Sequence, residues 1–109
     1  MAEIDGAALD RLFAVISARA NADPAQSYTA QLLREGTAKI AKKLAEEAAE
    51  TAIEAVKGDR ARLIQESADL LYHLLVLWAD GKIAPEEVWR ALATRQGRSG
   101  IEEKKSRTS

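Results

Sequence analysis

The stretch TAKIAKKLAEEAAETAIEAVKGDRARLIQESADLLYHLLVLWADG, residues 37–81, decides the fold. It reads as two long helices, one from about Thr37 to Val56 and one from about Arg60 to Ala79. Lys57 followed by Gly58 suits a helix C-terminus, because glycine takes the left-handed C′ conformation without a side-chain clash. Asp59 supplies an oxygen to cap the first N–H groups of the next helix. A break of two residues leaves the helices as antiparallel neighbours.

Two carboxylate clusters lie within these helices. Glu46 and Glu50 are four residues apart and Glu47 and Glu50 three, so the three side chains occupy adjoining stripes of one surface. On the second helix Glu66 and Asp69 are again three apart, and Asp69 directly precedes the apolar wall Leu70 to Trp78, where an acid adds nothing to packing. A small protein does not bury that much negative charge without a counter-ion. Antiparallel pairing brings the clusters face to face at mid-helix as an all-oxygen pocket suited to one or two Mg²⁺ ions. With Mg²⁺ bound, the natural substrate is a phosphate or pyrophosphate. A solvated helix face accounts for E-E-x-x-E taken alone; it does not account for Asp69 at the edge of an apolar wall.

Neighbouring residues carry two readings each. His73, four residues after Asp69 on the same stripe, is placed to bond that carboxylate, to touch substrate, or to sit satisfied in the core. Lys42 and Lys43, one turn before the glutamate pair, serve either as helix-stabilising partners or as phosphate ligands. Tyr72 and Trp78 read as core or interface residues.

Before this hairpin, Leu9, Leu12, Phe13 and Ile16 predict an amphipathic helix from about Ala7 to Ala20, ending near the turn signals Asn21 and Pro24. Ser27 caps a short helix through Leu32 and Leu33 that stops at Gly36. Its brevity suggests a lid or substrate-facing loop rather than a bundle member. After the hairpin, Pro85 opens a last helix to about Thr94 with Val88, Trp89 and Leu92 on its apolar side. The fold class is therefore all-α, an antiparallel bundle of four to five helices, with no β-alternation and no Gly-rich nucleotide loop. Residues 1–94 form the domain. Residues 95–109, RQGRSGIEEKKSRTS, form a polar tail that either solubilises or wraps phosphate groups through Arg95, Arg98, Ser99, Lys104, Lys105 and Arg107 when substrate orders it.

A chain of 109 residues fits one domain and leaves little room for a deep cleft, so a second subunit is expected to complete the site in a dimer or higher homo-oligomer. The net charge of −1 argues against a nucleic-acid binder. With no cysteine, disulfides, thiolate catalysis and Cys-based metal sites are excluded, and His73 alone cannot build a His-rich zinc site. The start MAEIDGAALDRL lacks the order of a secretory signal, and Leu70 to Ala79 is too short to span a bilayer. No membrane association and a cytoplasmic location are expected.

KIAKKLAEEAAE (Lys39 to Glu50), ESADLLYHLLVL (Glu66 to Leu77) and RSGIEEKKSR (Arg98 to Arg107) resemble the phosphoribosyl-ATP pyrophosphohydrolase family of the all-α nucleoside triphosphate pyrophosphohydrolase superfamily. The likeness covers about Leu9 to Arg107. It implies Mg²⁺-dependent hydrolysis of the α-β phosphoanhydride of phosphoribosyl-ATP to phosphoribosyl-AMP and pyrophosphate, in histidine biosynthesis. On this chain it implies Glu47, Glu50, Glu66 and Asp69 as metal ligands, and Glu46 as a ligand, a supporting group or a water orienter. Lys43, Arg95, Ser99, Lys104 and Arg107 would meet the substrate's phosphates, with His73 beside them. Ala45 departs from the family, which commonly has Gly before the glutamate pair; in a helix interior the change favours helicity and is expected to preserve activity. The family also implies a cytoplasmic homo-oligomer, and the length suggests the form not fused to the cyclohydrolase that acts next. Two alternatives are a housekeeping nucleoside triphosphate pyrophosphohydrolase, sharing every metal ligand, and a non-catalytic helical scaffold, which leaves Asp69 unexplained.

Overall fold

The structure is a computed structural model that describes residues 5–96. Ser99, Lys104 and Arg107, expected to meet phosphates, lie outside the described residues. Five helices follow one another: α1 (Ala7–Ala18), α2 (Tyr28–Glu35), α3 (Thr37–Lys57), α4 (Arg60–Asp80) and α5 (Pro85–Ala93). The all-α reading holds, with helix ends within a residue or two of those expected.

The α3–α4 hairpin is the frame. Gly58 adopts the left-handed conformation (φ 75°) that closes α3, and the Asp59 side chain accepts a hydrogen bond from the Arg62 N–H at 3.1 Å to start α4. Cross-helix contacts pair Thr37 with Asp80 (2.5 Å), Thr51 with Glu66 (3.2 Å) and Glu54 with Arg62 (3.3 Å), which sets one antiparallel register along the whole hairpin. That register places Glu47 opposite the Glu66 to Leu70 segment, so both acid clusters fall at mid-helix.

The core is small: Ile16, Leu32, Ile40, Leu75 and Val76, with Leu9, Leu12, Phe13, Leu33, Tyr72 and Trp78 packed around it. Four helices contribute, so α1 and α2 cover the α4 wall that the hairpin alone would leave in water. α5 joins through its indole: Trp89 stacks edge-on against Trp78 (centroids 5.7 Å apart) and its Nε1 donates to Asp10 of α1 at 2.8 Å. Leu92, expected on the apolar side of α5, is instead half exposed.

The expectation that α2 is a lid rather than a bundle member is corrected by its burial. Thr29, Ala30 and Leu32 are all buried, and α2 packs on both α3 and α4. The Ser27 side chain caps it as expected, accepting from the Ala30 N–H at 3.1 Å. Small residues at 29 and 30 let the helix approach α4 closely, and Gly36 (φ 95°) turns the chain into α3 without a linker. Short length did not signal mobility because three of the eight residues of the helix are buried.

Candidate metal and substrate site

At mid-hairpin α3 contributes Glu47 and α4 contributes Glu66 and Asp69, each offering one carboxylate oxygen within 4.8 Å of the others. Thr51 locks the two backbones beneath them, its hydroxyl lying 2.7 Å from the Glu47 carbonyl and 3.2 Å from the Glu66 carbonyl. Thr51 is not among the residues expected from the sequence, although a hydroxyl four residues after a candidate ligand is a recognisable helix-bridging signal. Glu50 joins from the next turn of α3. A hydrogen bond with Glu50, then desolvation, then the charges of Glu50 and Glu47, push the Glu66 carboxyl up to about 7.

This arrangement fits a hard divalent cation. The donors are all oxygen. One oxygen of Glu47 and one of Glu66 are buried with no hydrogen-bond partner, a costly state for a carboxylate unless a cation takes up the free lone pairs. Among the described residues, no lysine or arginine forms a salt bridge with Glu47, Glu50, Glu66 or Asp69. Asp69 is exposed and opens the cluster to solvent on one side, where a ligand can approach.

The remaining expected residues are distributed around this centre. Glu46 lies on the exposed stripe and pairs with Lys43 at 3.7 Å. Arg95 is exposed in the turn that follows α5. Ala45 is exposed, so its methyl group meets solvent and leaves the packing beside the acids unchanged.

His73 is only 6% exposed. Its Nδ1 lies 2.7 Å from the Asp69 backbone carbonyl, which can only accept, so the proton is assigned to Nδ1. Nε2 is then the acceptor for the Tyr28 hydroxyl at 3.2 Å. Beside them the Tyr72 and Thr29 hydroxyls share a hydrogen bond of 2.5 Å. Burial pushes the Tyr28 phenol up; Lys43 pulls it down, while Tyr72, Glu47 and Glu35 push it further up. Tyr28 is therefore within electrostatic reach of Lys43 and Glu47. Sequence alone had no signal for its role, because Tyr28 and His73 are 45 residues apart.

A bundle whose central antiparallel hairpin gathers facing carboxylates, without an ion pair among the described residues, defines an all-α protein with an acidic cluster that could hold a cation. The sequence model of the family described as phosphoribosyl-ATP pyrophosphohydrolase matches residues 9–96. A phosphoribosyl-ATP pyrophosphatase of Azospirillum brasilense is 60% identical over 107 residues, covering 98% of this chain and 96% of that one. One from Paramagnetospirillum magneticum is 52% identical over 103 residues, covering 94% of each chain. One from Granulibacter bethesdensis is 57% identical over 99 residues, covering 91% of this chain and 62% of that longer one. The chain belongs to the phosphoribosyl-ATP pyrophosphohydrolase family.

Proposed function

We propose that the protein hydrolyses phosphoribosyl-ATP at the α-β phosphoanhydride, giving phosphoribosyl-AMP and pyrophosphate, the second step of histidine biosynthesis. The observation that carries this reading is the uncompensated cluster of Glu47, Glu66 and Asp69 in a chain of this family. Glu47, Glu50, Glu66 and Asp69 would hold Mg²⁺, their oxygen donors being the type that ion prefers. When bound, Mg²⁺ supplies charge neutralisation for the pyrophosphate group and lowers the pKa of a coordinated water.

The chain's own groups supply placement. Thr51 keeps the two helices in register, so the acids are held before substrate arrives rather than assembled by it. Lys43, beside Glu46 at the edge of the cluster, offers an ammonium to a phosphate oxygen. Arg95, Ser99, Lys104 and Arg107 are proposed as further phosphate contacts from the segment 95–109. Truncation after Thr94 is expected to raise KM for phosphoribosyl-ATP; unchanged kinetics would remove this segment from the site. A homo-oligomer is also proposed, supported by the exposed apolar residues Ile53, Val56, Ile64 and Leu71 along α3 and α4.

No helix among the described residues is long and apolar enough to cross a membrane. A cytoplasmic location is proposed on the ground that the substrate is a multiply charged nucleotide of central metabolism. The test of the function is Mg²⁺-dependent pyrophosphate release from phosphoribosyl-ATP, run beside ATP and dCTP. Strong preference for phosphoribosyl-ATP is expected, and equal or better turnover of the simple triphosphates would move the protein to the housekeeping branch.

A further inference from the structure

Tyr28 combines two properties: the residue is 48% exposed, yet its hydroxyl is held by a nearly buried group. An exposed tyrosine usually leaves its hydroxyl to water. Here the O–H points to Nε2 of His73, 3.2 Å away, and His73 is itself fixed by the bond from Nδ1 to the Asp69 carbonyl, 2.7 Å away. The ring lies 20° from the plane of Tyr72 with centroids 6.3 Å apart, and stands edge-on to the His73 ring at 6.0 Å. Tyr72 is in turn tied to Thr29 through their hydroxyls. The rotation of the Tyr28 side chain is thus set by two aromatic groups, Tyr72 and His73, and the backbone carbonyl that fixes His73 belongs to the same residue whose carboxylate completes the acid cluster.

This network also fixes what the Tyr28 oxygen can do. Its proton is committed to His73, so towards solvent it is an acceptor. Phosphate oxygens of a nucleotide at neutral pH are acceptors too and gain nothing there. The groups of a phosphorylated nucleoside that do donate near its phosphates are the sugar hydroxyls. His73, with both ring nitrogens engaged and little exposed surface, is not itself available to the substrate.

We propose that Tyr28 is a substrate-positioning residue whose oxygen accepts a hydrogen bond from a hydroxyl of the ribose carrying the triphosphate, and that His73 acts through it by holding the acceptor side outward. This rests on the functional reading above and adds to it the group that recognises the sugar. Tyr28 then sets the distance between ribose and acids, so that the α-β bridge rather than another phosphoanhydride lies at the cluster.

The experiment is a cycle between protein and substrate. Wild type and Tyr28→Phe are assayed with phosphoribosyl-ATP and with its 2′-deoxy and 3′-deoxy forms in the triphosphate-bearing ribose. Losing one such hydrogen bond is expected to raise KM about tenfold, equivalent to about 1.4 kcal/mol, with a much smaller change in kcat. One deoxy analogue should raise KM equally with wild type and produce no further rise with Tyr28→Phe. His73→Ala should reproduce the Tyr28→Phe effect, and the double variant should be no worse than the more affected single one. Binding of Mg²⁺ alone, measured by calorimetry, should be unchanged in Tyr28→Phe, which a loss of fold would not allow. A KM for Tyr28→Phe within about twofold of wild type, or effects of variant and deoxy analogue that multiply, overturns the inference while leaving the function standing. Absence of wild-type turnover of phosphoribosyl-ATP overturns the functional reading and this inference with it.

Discussion

Two acidic places on the same hairpin are treated in opposite ways. Near the turn, Glu54 is buried with its side chain 8% exposed, and α3 and α4 each send it a cation: Lys57 at 3.4 Å and Arg62 at 3.3 Å. Two turns away, Glu47, Glu50, Glu66 and Asp69 face one another with no such ion pair among the described residues. The chain therefore has the means to neutralise an acid across this interface and uses them at the buried Glu54, whereas Glu47 and Glu66 are half-buried and Glu50 and Asp69 exposed. Where the cations are built in, the charge pins the turn. Where they are withheld, the carboxylates repel one another, which is the condition under which the proposed Mg²⁺ would bind.

The sharpest test of that contrast is Asp69→Asn, which keeps the shape and removes one charge. Groups that merely support a metal ligand already cost 10–100-fold, so loss of a ligand is expected to lower turnover by at least roughly 100-fold with the fold intact by circular dichroism. Normal turnover would sink the site assignment. A second test compares neutralisation at the two places. Glu47→Gln should raise the urea midpoint of the metal-free protein while abolishing activity, because it relieves repulsion and deletes a donor. Glu54→Gln should do the reverse, costing about 1–2 kcal/mol of stability because two cations lose their partner, with turnover per folded molecule retained. The estimate is kept low because Lys57 and Arg62 are largely exposed. Shifts of the same sign would mean that the two acids are not differently employed.

The smallest effect is on pH dependence. The bond with Glu50, desolvation and the neighbouring charges push the Glu66 carboxyl up to about 7, from an ordinary value of 4.5. An acid whose folded pKa is raised binds its proton more tightly when folded, so it adds stability below the unfolded value that is lost as pH rises through about 7. The metal-free melting temperature should therefore be higher at about pH 5.5 than at about pH 8, and Mg²⁺ affinity should weaken over the same descent as proton and metal compete. A melting temperature independent of pH in this window would show that Glu66 is not under repulsion.

Much of this was legible from residue order. Gly58-Asp59, Ser27 and Pro85 act within a few residues, so the breaks and caps they dictate appear where expected. The acid spacing of three and four survives in any helix, and Asp69 before an apolar wall marks the face that carries it. Other features stayed hidden for one physical reason. The ion pair Glu54–Arg62 crosses the hairpin, and the bonds Tyr28–His73 and Thr29–Tyr72 cross between α2 and α4. The brevity of α2 suggests a lid, but its burial depends on what its small residues meet, not on its own length.

By itself the sequence determined the helical class, the break at residues 58 and 59, the acids that share a helix face and the family, since each depends on local geometry or residue identity. Only the tertiary structure decided which acids meet, which are neutralised from across the hairpin, and that a buried histidine holds an exposed tyrosine beside them. Those outcomes depend on the rotation and register of one helix against another, and periodicity fixes a helix's apolar face but not the partner residue opposite each position.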